Sequence, residues 1–346
     1  MYRILQVVTQ LERAGAQTLS HWLERIMPDD FRTHTIFLYD KSGSDLFDSD
    51  RALVPAKPAS VGDAARMVRR LVGTLRRENP EIVLAHTHYA ISVAVLAKPF
   101  MRSTRVVAVH HWPVDRYPKV CQALLRLGRR FDAIDSEVYV SLSITENASD
   151  TVIENPVPDA SVDTRGELNA PDVDLLVVAR HSDEKSIDTM IRAMTHLPDR
   201  HLTLVGAGPR TEDLVSLASE LDLTSRVRFA GHLPNQYVRN LMNDCNTLIL
   251  PSLWEAMPMV LLEGVACDAT IVASDIAAHA FLFENDAAVA FTPRDVPGLA
   301  AAVAEAGEPD RAARCAAGRV ALRDRLSESE VANRWTAVMA SVCRAA

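Results

Sequence analysis

"NTLILPSLWEAMPMVLLEGVAC", residues 246 to 267, reads as a buried strand running into a helix, and its only charged side chains are Glu255 and Glu263. "NTLILP" (246 to 251) is an aliphatic run of the kind that parallel sheets bury on both faces. Pro258 suits the first position of a helix over 258 to 267, because its φ is preset for helix and it has no N–H to leave orphaned. Glu255 then follows the strand and Glu263 lies more than a turn inside the helix. Eight residues at 1.5 Å each span ~12 Å if wholly helical, somewhat different with a loop included, a spacing too large for two carboxylates to share a proton. It is about the reach from a sugar ring, across a diphosphate, to a ribose. Around Met257, Pro258, Met259 and Val260 the opening backbone amides of the helix can meet an anion. Two surface glutamates beside an amphipathic helix are the alternative, which suits Glu263 alone better than the pair.

The same rhythm extends in both directions. "RILQVV" (3 to 8), "THTIFL" (33 to 38), "EIVLAH" (81 to 86) and "RVVAVH" (105 to 110) are strand-like in the first half. "DLLVVA" (174 to 179), "HLTLVG" (201 to 206), "RVRFAG" (226 to 231), "ATIVAS" (269 to 274) and "AAVAF" (287 to 291) follow in the second. Between strands, 61 to 78 places Val61, Ala65, Val68, Leu71, Val72 and Leu75 at helical spacing. The Pro- and Asp-rich stretch 155 to 172 interrupts the alternation and reads as a linker. Two βαβ series predict an α/β protein of two Rossmann-like, doubly wound domains facing each other across a cleft. The boundaries fall at 1–158 and 159–326, with a C-terminal helix, 327–346, crossing back to the first domain.

Composition narrows the classes. At 346 residues, 48% hydrophobic and 24% charged, the chain suits two globular domains. No apolar run approaches the roughly 20 residues of a membrane span, and "MYRILQVVTQ" lacks a signal peptide's apolar core. Five scattered cysteines without a CxxC pair argue against a zinc site or disulfide framework and for a cytoplasmic protein. Residues 1 to 155 carry 20 Lys+Arg against 18 Asp+Glu, and the remainder 17 against 27. The acidic total excludes general nucleic-acid binding and leaves the first half as the likelier partner of an anionic surface.

Ligands of open parallel sheets sit beyond the carboxyl ends of the strands. Arg180 follows "DLLVVA" and Lys185 comes five positions later, a guanidinium and an ammonium suited to a diphosphate, or else a solvated pair beside Asp183 and Glu184. "VGAGP" (205 to 209) is a glycine turn at Gly206 and Gly208 that lets a helix start close to a ligand, although a tight turn alone would need as much. His86, His88, His110 and His111 end two first-half strands; zinc binding there lacks a carboxylate or cysteine at ligand spacing, so a hydrogen-bonding role is favoured. Gly15 in "LERAGAQT" (11 to 18) allows close approach of a phosphate or an ordinary helix entry. "RYPKVCQALLRLGRR" (116 to 130) carries five basic residues and no acid, with Val120, Leu124, Leu125 and Leu127 on an apolar side. It can lie on anionic lipid at the inner face of a membrane or pack with its basic face outward.

These elements together resemble retaining glycosyltransferases of family 4, which have the two-Rossmann GT-B fold. The resemblance rests on "VARHSDEKS", "LVGAGP", "VRFAGHLP" with Leu233, and "LPSLWEAMPMVLLEGVAC", which matches the family's E-x7-E element. In the first half "ERAGAQ", "VVAVHH" and "VIENPVPD" with Asn155 resemble its loop, histidine strand and linker. The resemblance implies a metal-independent hexosyltransferase using a UDP- or GDP-linked sugar and a saccharide, lipid-linked or small-molecule acceptor. Arg180 and Lys185 would hold the diphosphate, Glu255 the transferred sugar, Glu263 the ribose, and His110 the sugar near its reacting face. Gly15 would lie near the phosphates. No protein nucleophile is implied. Departures fall at Ala14, Ala256, Asp268, Thr270, Ala277 and Ala278, most where the family has glycine. They motivate a second expectation, a degenerate binding or scaffold protein; an epimerase-like enzyme on the same fold is a third. A metal-dependent GT-A arrangement rests only on "DSD" (48 to 50) and "DVD" (172 to 174), strings that arise readily in a charged chain.

Overall fold

A computed structural model describes residues 2–11, 15–40, 51–101, 103–159 and 173–344. Ala14, the "DSD" string and most of the expected linker, from residue 160, lie outside these. The chain forms two compact units, residues 1–155 with 329–346, and 156–328.

Unit 1 runs β1 (Tyr2–Leu11), α1 (Gly15–Ile26), β2 (Phe31–Asp40), β3 (Ala52–Val54), α2 (Val61–Glu78), β4 (Ile82–His86), α3 (Thr87–Ala97), β5 (Arg105–His110), α4 (Lys119–Arg130), β6 (Ser136–Tyr139) and β7 (Thr151–Val152). Its strands pair in parallel in the order β3-β2-β1-β4-β5-β6-β7. β4 is buried at every position and β5 at all but its first, which is why both read as continuous apolar runs. α2 has the predicted bounds but a rotated face. Met67, Leu71, Val72, Thr74 and Leu75 are buried, whereas Val61 is 89% exposed. Ser60 caps its start, accepting from the Asp63 amide.

Unit 2 runs β8 (Leu175–Val178), α5 (Ile187–Ala193), β9 (Leu202–Val205), α6 (Thr211–Glu220), β10 (Val227–Gly231), α7 (Asn235–Asp244), β11 (Thr247–Leu250), α8 (Met259–Ala266), β12 (Ile271–Ser274), α9 (Ala280–Phe283), β13 (Val289–Phe291), α10 (Val296–Ala306) and α11 (Pro309–Arg325). Its parallel order is β10-β9-β8-β11-β12-β13. The final helix, α12 (Glu328–Arg344), belongs to unit 1 from Ser329 onward. It buries Val331, Trp335, Met339 and Val342 at helical spacing, and Arg334 pairs with Glu154 at 3.8 Å.

Asp268, one of the positions that depart from the resembled family, has φ +56°. This is the left-handed conformation that glycine adopts freely and Asp tolerates better than most residues. Its carboxylate meets Arg319 at 3.1 Å and Arg323 at 3.6 Å, so the non-glycine residue at the end of α8 is tied to α11. Ala256, Ala277 and Ala278 have ordinary negative φ, and no left-handed glycine is required there.

The glycines of unit 2 and unit 1 predict opposite effects. Gly206 has φ +120°, and a Cβ there would lie 2.1 Å from the Ala179 oxygen. Gly206→Ala should therefore lower unfolding free energy by about 2–4 kcal/mol. Gly73, mid-helix in α2, has nothing within 4 Å of its would-be Cβ, so Gly73→Ala should raise stability by about 0.5–1 kcal/mol. Thermal melts of the two variants check the contrast.

Candidate functional site

In both sheets the strand order reverses once, between β1 and β4 in unit 1 and between β8 and β11 in unit 2. At such a reversal the connections leave in opposite directions, opening a crevice beyond the strands' carboxyl ends. Of the sequence-predicted residues of unit 2, Lys185 and Glu255 are brought together there.

The segment after β8 carries Arg180 and Lys185, and the segment after β11 carries Glu255. Lys185 donates to Glu255 Oε1, an ion pair with side chains only 18% and 12% exposed, and Ser252 Oγ donates to the same oxygen at 2.8 Å. The Leu253 amide, which donates to the Glu184 carbonyl at 2.8 Å, stitches the two segments together. Ser274, ending β12, donates through Oγ to the Ser252 carbonyl. Arg180 is exposed, and its side chain has no hydrogen bond or ion pair among the described residues. Arg180 thus stands unpaired among the described residues, in the same segment as Lys185 of the neutralised pair.

Helix α8 begins after Pro258, which stands one position earlier than expected, as the residue preceding the helix. No side chain caps the start and its first turn has no acid, so the positive end of the helix dipole is uncompensated. Met257 and Pro258 are buried, and Met259 and Val260 half-buried. Glu263 is half-buried on the same helix; burial pushes its carboxyl above the ordinary range, opposed by the Arg239 charge on α7. Leu233, between β10 and α7, is half-buried.

The glycine turn packs closely on its neighbour, as the tight-turn reading expects. A Cβ at Gly208 would fall 2.3 Å from the His181 oxygen, so both glycines let the β9 turn press against the segment after β8. Their amides are engaged: Gly206 donates to the Gly231 carbonyl at 2.8 Å and Gly208 to Thr211 Oγ1 at 2.9 Å. His181 fixes the turn through a 2.9 Å contact of Nδ1 with Thr211 Oγ1. Sequence reasoning missed His181, Arg239, Ser252 and His279. The last is fully buried, with Nδ1 donating to the Ser274 carbonyl at 2.8 Å. Burial chiefly drives its pKa down to about 4, so it adds no positive charge near Lys185 at neutral pH.

In unit 1 His110 is held within the protein. Its ring is fully buried, stacked on Tyr139, with Nδ1 on the Tyr117 hydroxyl and Nε2 on Glu137, each at 2.8 Å. Both ring nitrogens are engaged within the protein. Burial alone would push Glu137 up, yet the hydrogen bonds and charges of His110 and Arg129 hold it down at about 2.

The neighbouring His111 is differently placed. Gln6 donates its amide to the Ser20 carbonyl at 2.7 Å and to Thr35 Oγ1 at 3.0 Å, which turns its oxygen toward His86 Nε2, 3.1 Å away. His86 must then carry its proton on Nε2, leaving Nδ1 to accept from His111 Nε2 at 3.1 Å. The chain of constraints leaves His111 Nδ1 as a lone pair without a partner among the described residues. Burial pushes the His86 pKa well below its usual value and that of His111 down to about 3, so both stay neutral. Beside them Thr9 and Thr87 share a short hydroxyl contact across the β1/β4 reversal. Thr87 has φ +73°, a strained conformation for a β-branched residue. Gly15 opens α1 after β1 at this same reversal.

Among the described residues no group of three His, Cys, Asp or Glu side chains could hold a metal, and no helix is long and apolar enough to cross a membrane. Two concavities lie at the opposite, amino ends of the strands, one near Arg3, Thr33 and Pro80, the other near Asp174, Arg200 and Asn246.

Two parallel α/β units with a charged crevice at a strand reversal define the GT-B class of fold. Comparison with known proteins agrees. Residues 163–317 match the family model of glycosyl transferases group 1. The chain is 28% identical over 256 residues to a glycogen synthase of Mycobacterium tuberculosis, across 67% of this chain and 61% of that protein. It is 32% identical over 178 residues to the lipopolysaccharide core biosynthesis glycosyltransferase LpsD of Rhizobium meliloti, across 49% and 51%. The chain therefore spans about half to six-tenths of the length of these relatives. Among solved structures, Anabaena HepE in complex with UDP and glucose superposes with TM-score 0.82 at 19% identity, across 99% of this chain and all of that one. Sucrose-phosphate synthase from Thermosynechococcus elongatus superposes with TM-score 0.77 at 16% identity over the whole of both chains.

The histidine relay is testable by long-range 1H–15N spectra. His86 and His111 should both show the Nε2–H tautomer and no protonation from pH 5 to 8. Gln6→Leu should release this and give mixed tautomers at His111; an unchanged His111 spectrum in that variant contradicts the relay.

Proposed function

We propose that the chain is a retaining glycosyltransferase of family 4, moving a hexose-type sugar from a nucleoside diphosphate, UDP-linked in the first instance, to a saccharide, lipid-linked or small-molecule acceptor. The observation that carries this reading is the Lys185–Glu255 pair at the β8/β11 reversal, with Arg180 unengaged beside it and Glu263 further along α8. The comparisons support it: the family match covers this site, and HepE is a structural neighbour solved with UDP and glucose.

In this reading Arg180 and Lys185 neutralise the diphosphate without a metal, and the open start of α8 adds its dipole. Glu255, released from Lys185 as phosphate takes over that ammonium, accepts from hydroxyls of the transferred sugar. Glu263 accepts from the ribose hydroxyls. The bond from the sugar's anomeric carbon to the phosphate oxygen breaks as the acceptor oxygen bonds that carbon on the same face. The departing phosphate oxygen takes the acceptor's proton, so no protein nucleophile is needed. To His111, in place of His110, falls the acceptance of a ligand hydroxyl at the β1/β4 reversal. The scaffold alternative loses much of its motivation, since Asp268 is held by Arg319 and Ala256 stands where no glycine is required.

Titration calorimetry with UDP should show Arg180→Ala and Glu263→Ala each weakening binding about 10- to 100-fold, the worth of a charge-assisted hydrogen bond. Unchanged affinity in both variants rejects the assignment. Because the Glu263 pKa is raised, its acceptor carboxylate is lost on acidification earlier than an ordinary glutamate's. Affinity for UDP should fall as pH drops toward that raised value, and this limb of the pH profile should vanish in Glu263→Gln.

A further inference from the structure

Eleven large apolar residues are exposed among the described residues, and seven of them lie between positions 96 and 142. They are Leu96, Phe100, Trp112, Val120, Leu127, Phe131 and Leu142. Val120 is 71% and Phe131 68% exposed. This concentration is centred on α4, whose buried side is only Cys121, Leu125 and Gly128. The apolar side expected from sequence is therefore split: Leu125 packs inward, while Val120 and Leu127 face outward.

At 100° per residue, Val120, Leu127 and Phe131 fall within about 40° of one another, forming a stripe on the order of 16 Å long. Lys119, Arg126 and Arg130 fall within a second stripe of about the same width, roughly 100° away around the helix. None of these three has an ion pair among the described residues, whereas Arg129 is committed to Glu137 and Glu146. The only acids flanking the helix are Asp115 before it and Asp132 after it, and both are exposed. α3, which carries Leu96 and leads to Phe100, packs against α4, where Gly128 meets Val95. In a chain of net charge -8, an unopposed basic stripe running alongside an apolar stripe is a local inversion of charge.

We infer that α4, with the apolar residues beside it, is a docking surface for an anionic lipid bilayer. The helix would lie in the interfacial plane, with Val120, Leu127 and Phe131 entering the acyl boundary while Lys119, Arg126 and Arg130 meet the headgroups. Charge complementarity and the shape of the patch favour lipid: separate large side chains on a convex helix suit a fluid surface, whereas a folded partner usually requires a fitted pocket.

Vesicle flotation of the full chain tests this without any donor or turnover. Binding is expected to phosphatidylcholine vesicles containing phosphatidylglycerol, to weaken as salt is raised, and to be absent with phosphatidylcholine alone. The triple variant Lys119→Glu, Arg126→Glu, Arg130→Glu should lower partitioning by on the order of a hundredfold or more. Val120→Ser with Leu127→Ser should weaken binding while keeping its salt dependence. All five positions are exposed, so unchanged melting temperatures should accompany these losses. Absence of binding to anionic vesicles, or equal binding by the variants, overturns the inference. So does a concentration-dependent dimer of the parent chain that Val120→Ser with Leu127→Ser abolishes, which would make the face a contact between copies.

Discussion

The ion pair between Lys185 and Glu255 is the interaction on which unit 2's site depends. It joins the segments after two adjacent strands that wind away in opposite directions, and it does so largely out of water. Two charges withdrawn from solvent are tolerable while each neutralises the other, and removing one partner of such a pair typically costs about 3–5 kcal/mol. A ligand that is to occupy the crevice must therefore bring replacements for both. A sugar diphosphate does so, offering phosphate oxygens to the ammonium and hydroxyl donors to the carboxylate. The same reasoning shows why substitutions of Lys185 or Glu255 mix loss of fold with loss of binding, while Arg180 and Glu263 report on binding more cleanly.

What surrounds the pair serves to hold it in place. Ser252 bonds Glu255 directly, Ser274 bonds the Ser252 carbonyl, and His279 bonds the Ser274 carbonyl. A third strand thus braces the first two. His279 remains neutral because its ring is buried, so it does not compete with Lys185 for the carboxylate. Gly206 and Gly208 act one step further out, where absent side chains let the β9 turn close on the segment that carries Lys185.

The fold was legible in the sequence because strands buried on both faces leave continuous aliphatic runs, and "RVVAVH" forms β5 at the predicted bounds. The short β3, β6 and β7 were not legible: unlike the equally short β13, which sits in the aliphatic run "AAVAF", their "ALV", "SEVY" and "TV" are flanked by Pro, Asp, Ser or Glu and carry no apolar run as long as that one. Arg180, Lys185 and Glu255 were singled out by their place after strands, and the structure pairs the last two. The histidines were harder, since adjacent residues at a strand end point to opposite sides. His110 turned inward to Glu137 and Tyr117, and His111 kept the nitrogen without a partner among the described residues. No sequence rule anticipates the Gln6–His86–His111 relay, whose members come from three different strand regions. Periodicity also failed to separate the buried side of α4 from its exposed apolar stripe, because both consist of apolar residues.

The central claim is that a nucleotide sugar binds at the carboxyl ends of unit 2's strands. Amide hydrogen exchange with and without saturating UDP-glucose tests it directly. Exchange should slow in segments 180–190 and 252–264 and stay unchanged around Asp174, Arg200 and Asn246 at the amino ends. Slowing confined to the amino ends, or none in 180–190 and 252–264 while the ligand is bound, would contradict the account.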